Sequence, residues 1–254
     1  MSNSRILVLP ANASPDVYPD NKNSHYRIKL PERVTLQGKK WSIALRTMHY
    51  ANSWYNVTNG AVYIRHRQTD GSYRTYERKV ESGRYLNSQR LVSEMRIAVN
   101  SAAETREKIL MVHDENSHKF YIRFDDRNWS VRFSDELARV FDLSSTEWYA
   151  SETKTKAIRS IPDIFAGHSL MYVYCSLVAP RIVGHSSVPL LMEVPVKPPK
   201  KDVENVFFEP SKPHYVPVST TDTQEVEIDI RRGDGEPFLF RSGVVSVTVE
   251  LREV

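Results

Sequence analysis

Cysteine is nearly missing from this chain. Among 254 residues only Cys175 occurs, which excludes an internal disulfide framework and any cysteine-rich zinc site, so the fold must rest on packing. Glycine is scarce, at 9 residues, and neither a Walker A sequence nor a complete G-x-G-x-x-G is present; "GDGEPF" has the first two glycines and reads as a turn. No apolar run reaches the roughly 20 residues that a bilayer-crossing helix needs. The longest, "LMYVYCSLVAP", is short and interrupted. The start, "MSNSRILVLPANAS", lacks a basic stretch followed by a long apolar one, so no signal peptide is expected. The chain therefore reads as soluble and made in a reducing compartment, and the sequons at Asn12, Asn56 and Asn128 carry little weight. Charge of one sign is also lacking. With 35 Lys and Arg against 31 Asp and Glu, the net charge is +4 and no long basic run marks a dedicated nucleic-acid site.

What is present is alternation. The chain is 40% hydrophobic and long enough for one large all-β domain. "YRIKL" puts Tyr26, Ile28 and Leu30 on one face, and "WSIALRTMHY" does the same with Trp41, Ile43 and Leu45. "AVYIRHR" and "SYRTYERKV" flank "QTDG", an Asp-Gly turn that predicts a hairpin. "KILMV", "KFYIRF", "WSVRF", "VEIDI" and "VVSVTVEL" continue the pattern between polar turns. Two segments depart from it. Leu91, Val92, Met95, Ala98, Val99 and Ala102 fall at helical spacing behind Asn87 or Ser88 as N-cap; "SDELARVFDL" predicts a shorter helix capped by Ser134, with Asp135 and Glu136 at its positive end. Many short antiparallel strands with few helices predict an all-β sandwich or jelly roll. "VPVKPPKKDVEN" reads as a loop crossing within that domain, because the strands after it would make a thin domain alone.

Chemistry finds little purchase. "GHSSV" lacks the second glycine of a nucleophile elbow, so His185, Ser186 and Ser187 do not form one with Cys175, which lies on the face of Met171, Val173 and Leu177 as a buried small hydrophobe would. His113 and His118 flank a polar turn, but two ligands are not a site. Glu225, Glu227 and Asp229 share a strand face and have the chemistry to hold a cation; the solvated face of a half-buried strand is the expected account. Arg232, Gly233 and Asp234 spell an adhesion tripeptide and equally a hairpin turn. In "YIRHRQTDGSYRTYERK" aromatic and basic residues interleave as a stacking platform for single strands would have them, with strand-face packing as the expected account. No catalytic, metal or cofactor site is expected.

Several blocks resemble, in order, the minor capsid or penton proteins of Polinton/Maverick elements and related adintoviruses. In "YPDNKNSHYRIKLPERVTLQGKKWSIALRTMHYANSWYNV" the family's L-x-G-x-W turn is matched by Leu36, Gly38, Lys39, Lys40 and Trp41 with one extra residue, and its Tyr-x-x-SW-type motif by Tyr50, Ser53 and Trp54. "SVRFSDELARVFDL", "LMYVYCSLVAPRIVGHSSVPLLMEVPV", "HYVPV" and "GEPFLFRSGVVSVTVELR" extend the resemblance from about Tyr18 to Arg252. It implies a single jelly-roll domain over residues 25–254 with a helix-containing insertion around 85–165, preceded by an extended arm over 1–24, whose Pro- and Asn-rich Ala11–Ser24 part is expected to order only against a neighbouring subunit or the shell interior. It implies a homopentamer at the five-fold vertices of an icosahedral shell, beside a double-jelly-roll major capsid protein, and a place in the virion. Tyr18, Tyr50, Ser53, Trp54, Tyr55, Pro195 and Lys201 are the expected assembly contacts; for "YANSWYN" a packed corner stands equally open. Three other readings stay in view: a glycan- or ligand-binding sandwich using Glu225, Glu227, Asp229 and the tryptophans, a single-strand nucleic-acid binder using the basic and aromatic hairpins, and an element-derived protein retained by a host.

Overall fold

Alternation becomes strands almost wherever it occurs. The computed structural model describes residues 3–114, 116–117, 119–150, 155–158, 162–165, 168–196 and 205–254. In chain order the elements are β1 (Ser4–Pro10), β2 (His25–Thr35), β3 (Trp41–Ala51), β4 (Ala61–Arg67), β5 (Tyr73–Lys79), α1 (Ser88–Asn100), β6 (Ile109–Asp114), β7 (Lys119–Phe124), β8 (Trp129–Phe133) and α2 (Asp135–Val140). They continue as β9 (Tyr149–Ala150), β10 (Thr155–Ile158), β11 (Leu170–Cys175), β12 (Arg181–Val183), β13 (Ser186–Val188), β14 (Leu190–Pro195), β15 (Asn205–Phe208), β16 (Val216–Pro217), β17 (Asp222–Arg231) and β18 (Ser246–Glu253). The fold is an all-β, antiparallel jelly-roll sandwich with a few short helices. It divides into two compact units, Met1–Trp54 with Gly167–Val254, and Tyr55–Ala166.

The first unit has a five-stranded sheet in the order β1-β18-β3-β15, with β16 also on β3, and a four-stranded sheet β14-β11-β17-β2. Their inward faces share one core, in which Ile43, Leu45, Val247 and Val249 meet Tyr26, Ile28, Val173 and Ile228. Strict alternation along β3 would turn Thr47 and His49 inward. The structure avoids this with a bulge: Leu45 faces Val249 and Thr47 faces Thr248, so Arg46 is the extra residue and the phase shifts to bury Met48 and Tyr50. A second irregularity leaves Leu191 between Val173–Met192 and Tyr174–Leu190, so consecutive Leu190 and Leu191 are both buried.

The expected N-terminal arm is not an arm here. Residues 4–10 form β1, paired throughout with β18, with Leu9 fully buried. The Asn-rich connection that follows is tied to its own unit. Asn21 Nδ2 donates to the Arg27 carbonyl at 2.8 Å and its Oδ1 accepts from Arg27 N–H at 2.9 Å; Asn23 likewise bridges Gly243 and Val245. Side-chain amides replace a strand ladder as backbone partners in this segment. "VPVKPPKKDVEN" joins β14 of one sheet to β15 of the other within this unit; its residues 197–204 lie outside the described ones.

The second unit begins earlier than the expected insertion, because the β4-β5 hairpin belongs to it. Its sheets are β5-β4-β8-β9 and β10-β7-β6. Asn87 caps α1, accepting from Arg90 N–H at 2.8 Å, and Leu91, Val92, Met95 and Val99 are its buried stripe. The helix ends at Asn100, short of Ala102. Ser134 precedes α2 without a side-chain cap; its Oγ accepts from Ala61 N–H at 3.1 Å. Glu136 accepts from the N–H groups of Thr58 and Asn59, so both residues clamp the approach to β4. Phe120, Phe133 and Phe141 centre this core, with Phe120 and Phe141 rings 4.6 Å apart.

Candidate functional site

Of the residues weighed for chemistry, Glu225, Glu227, Asp229 and the Arg232–Asp234 tripeptide lie on or beside the outward face of β14-β11-β17-β2. Alternation sends Met171, Val173 and Cys175 into the core and leaves Tyr172, Tyr174 and Ser176 outside beside Glu227, Asp229 and Arg231 of β17. The β12-β13 hairpin, turning at Gly184 with φ of +59°, borders a groove of about 850 Å³ lined by these side chains and by the Arg232–Gly235 turn.

The charges in and around that groove are paired. Tyr18 donates to Glu225 at 2.7 Å, with Arg27 3.8 Å from the same carboxylate; His25 Nε2 lies 2.9 Å from Glu227; Arg231 Nε donates to Asp229 at 2.7 Å. Cross-strand register between β17 and β2 sets Glu227 opposite Arg27 and Asp229 opposite His25. Donation to Glu225 raises the Tyr18 phenol above its ordinary value, the hydrogen bond to Asp229 raises the Arg231 guanidinium, and burial raises Tyr174. Glu225 and Glu227 are thus partnered across strands, and Asp229 by Arg231 of its own strand. Among the described residues no group of three or more His, Cys, Asp or Glu is placed to hold a metal ion.

The other candidates separate. Cys175 is buried in the core, its thiol pushed up to about 12, while His185, Ser186 and Ser187 sit exposed on the β12-β13 turn. His113 Nε2 is 3.1 Å from Ser88 Oγ, and His118 lies outside the described residues. Arg232 and Asp234 pair with each other, Nη2 to Oδ2 at 2.8 Å and Nε to Oδ1 at 3.1 Å, across the turn held by Gly235 N–H to the Arg232 carbonyl. The tripeptide's charges are turned on one another, and Arg232 also meets His168.

The expected assembly contacts split the same way. Tyr50 (0% exposed) and Trp54 (1%) are core residues, Trp54 edge-on to Phe238 at 5.0 Å and Tyr50 6.1 Å from Phe240. Ser53 Oγ donates to the Ser242 carbonyl at 2.9 Å and accepts from the N–H groups of Arg241 and Ser242. Gly243, at φ +79°, backs onto this corner so closely that a Cβ there would lie 2.5 Å from Ala51 Cβ. These three side chains are buried in a packed corner of their unit. Tyr55, in the other unit, and Pro195, at the end of β14, are exposed; Tyr18 is half-buried; Lys201 lies outside the described residues.

Exposed apolar side chains stand elsewhere. On β1, Ile6 is 62% exposed and Val8 63%; on β15, Phe207 is 59% exposed. β1 and β15 are the two ends of the same sheet. The run "ILVL" carries the signal: a strand apolar on both faces asks for cover on both.

No protein-family model matches the chain, and no curated protein matches its sequence. Among solved structures, its fold is similar to that in the crystal structure of the selenomethionine-labelled mavirus penton protein, with a TM-score of 0.55 and 12% identity, covering 99% of this chain and 100% of that one. At that identity the likeness is one of fold.

Proposed function

We propose that this chain is a penton-type minor capsid subunit, of the kind encoded by Polinton/Maverick elements and adintoviruses, and that it forms homopentamers at the five-fold vertices of a virion beside a double-jelly-roll major capsid protein. One observation carries the reading: the likeness to the mavirus penton protein runs over both compact units and nearly the full length of both chains. A ring uses heterologous contacts, in which one flank of a subunit meets a different flank of the next. The two ends of the β1-β18-β3-β15 sheet supply such a pair, Ile6 and Val8 on one and Phe207 on the other. An uncovered edge strand bearing large apolar residues is a liability in a monomer and a contact in an assembly.

Light scattering after size-exclusion chromatography, followed by negative-stain class averages, tests the reading. Five-fold rings that Ile6→Glu with Val8→Glu returns to monomers are expected. A chain that remains monomeric at every concentration, with no rings in the images, overturns it. The groove over Tyr172 and Tyr174 favours a second reading, a module for a polar, uncharged ligand such as a glycan, since its charges are already paired. Glycan binding by a monomer would support that instead.

A further inference from the structure

The second unit carries a face of opposite character. In β4 and β8, Val62, Ile64, Val131 and Phe133 point into the core, which turns Tyr63, Arg65 and Arg132 outward. There they form a chain of stacked groups with Tyr73 of β5 and Trp148 just before β9. The Arg65 guanidinium carbon lies 4.1 Å from the Tyr73 ring centre and 4.3 Å from that of Trp148; that of Arg132 lies 5.2 Å from Trp148 and 4.9 Å from Tyr63. The order is Tyr73, Arg65, Trp148, Arg132, Tyr63. Tyr63, Arg65 and Tyr73 belong to the run "YIRHRQTDGSYRTYERK", expected as ordinary strand-face packing; Arg132 and Trp148 are added by β8 and the approach to β9.

Two features set this face apart. Among the described residues no carboxylate pairs with Arg65 or Arg132; Arg65 Nε reaches Ser130 Oγ at 3.4 Å, and Arg132 Nε is buried without an acceptor. Glu77, across from Tyr63, is exposed and makes no ion pair with either. Two guanidiniums sharing one indole repel each other, so the arrangement improves when an anion arrives. The rings already lie against both guanidiniums, so less side-chain freedom remains to be lost on binding. Arg67 and Lys79 lie on the same side of β4 and β5 and extend the positive charge.

Planar π-surfaces alternating with cations match the alternation of base and phosphate in a single strand, whereas a duplex hides its bases. An acidic peptide would use the cations and leave Tyr73, half of whose surface is open, without a role. We propose that the outward face of β5-β4-β8-β9 binds single-stranded nucleic acid, with phosphates on Arg65 and Arg132 and bases on Tyr73 and Tyr63, the rings at the two ends of the stack. This inference does not depend on the capsid reading.

The test is fluorescence anisotropy of the full chain with fluorescein-labelled oligo-dT and oligo-rU of roughly a dozen nucleotides, across a salt series. Binding should weaken with salt at a log–log slope of about −1.4 for two phosphate contacts. Arg65→Gln with Arg132→Gln should weaken binding at least about tenfold and reduce the slope by about 1.4. Arg65→Lys with Arg132→Lys retains the charge and, having lost the flat stack, should recover only part of the affinity. Tryptophan fluorescence should be quenched on binding, and Trp148→Leu should remove most of that quenching. Absence of oligonucleotide binding overturns the proposal, as does equal binding by the folded Gln variant, checked by circular dichroism. Equal or tighter binding of heparin or polyglutamate, which have no bases, overturns it too.

Discussion

The two units solve the same problem, an outward strand face rich in charge, in opposite ways. In the sandwich unit Glu225, Glu227 and Asp229 are each met by a cation, from Arg27 or Arg231, with the His25 imidazole also beside Glu227. In the Tyr55–Ala166 unit Arg65 and Arg132 are met by rings. Pairing with carboxylates neutralises a face, while stacking on aromatics orders the side chains and keeps the charge. Composition cannot separate these outcomes, because both faces read as polar alternation; the groups that the fold brings alongside decide.

The strongest way to probe the division is through the cores. Trp54→Ala in one unit and Phe120→Ala in the other should each cost about 3–5 kcal/mol, measured by denaturant unfolding. Hydrogen exchange then sharpens the comparison. Protection should fall in β3 and β18 for the first variant and in β4, β7 and β8 for the second, whereas uniform loss in both would show one cooperative unit. Next comes Asn56, whose buried amide donates to the carbonyls of Tyr85 and Ile164, at 2.9 Å each, and accepts from Tyr85 N–H at 2.8 Å. Asn56→Ala strands these groups and should cost about 3 kcal/mol, with exchange losses confined to its own unit.

Alkaline pH should separate the units more gently. Burial holds the Cys175 thiol protonated up to about 12 from an ordinary 9.0, and raises the Tyr26 phenol from 10.0; in the other unit burial raises Tyr85 to about 12. Each contribution is fully present below the ordinary value and drains away as pH rises toward the folded one, at up to about 1.4 kcal/mol per pH unit for each group. The sandwich unit should thus loosen first, from about pH 9, and Cys175→Ala should flatten that onset in pH-dependent unfolding. The smallest effect belongs to the exposed Arg33–Asp222 pair at 3.1 Å: Asp222→Asn should change stability by less than about 0.5 kcal/mol. A larger loss would show that surface pairing in this unit is structural.

Much of this architecture is legible in the residues, and the limits are physical. Period-two alternation places Tyr26, Ile28 and Leu30 in the core, Asp70-Gly71 closes its hairpin, and Asn87 caps its helix. The bulge at Arg46 is hidden because an extra residue shows only against its partner strand. The β4-β5 hairpin alternates like any sandwich strand, so the boundary between units leaves no local mark. The N-terminal segment suggests an arm because prolines and asparagines break its pattern, yet those asparagines are what fasten it. Tyr50 and Trp54 look like contacts because aromatics serve cores and interfaces alike. At the candidate site, the coupling of Arg27 with Glu225 spans nearly the whole chain, a distance at which no spacing argument operates.

The lone thiol gives the molecule its own clock. A thiol reagent in ordinary buffer meets Cys175 only when the sandwich opens. In the regime where reclosing is slower than chemistry, the labelling rate counts openings directly; where it is faster, the rate reports how large a fraction of molecules stands open. Each modified chain gains a single tag, so intact mass alone reads out the breathing of that unit without an engineered probe.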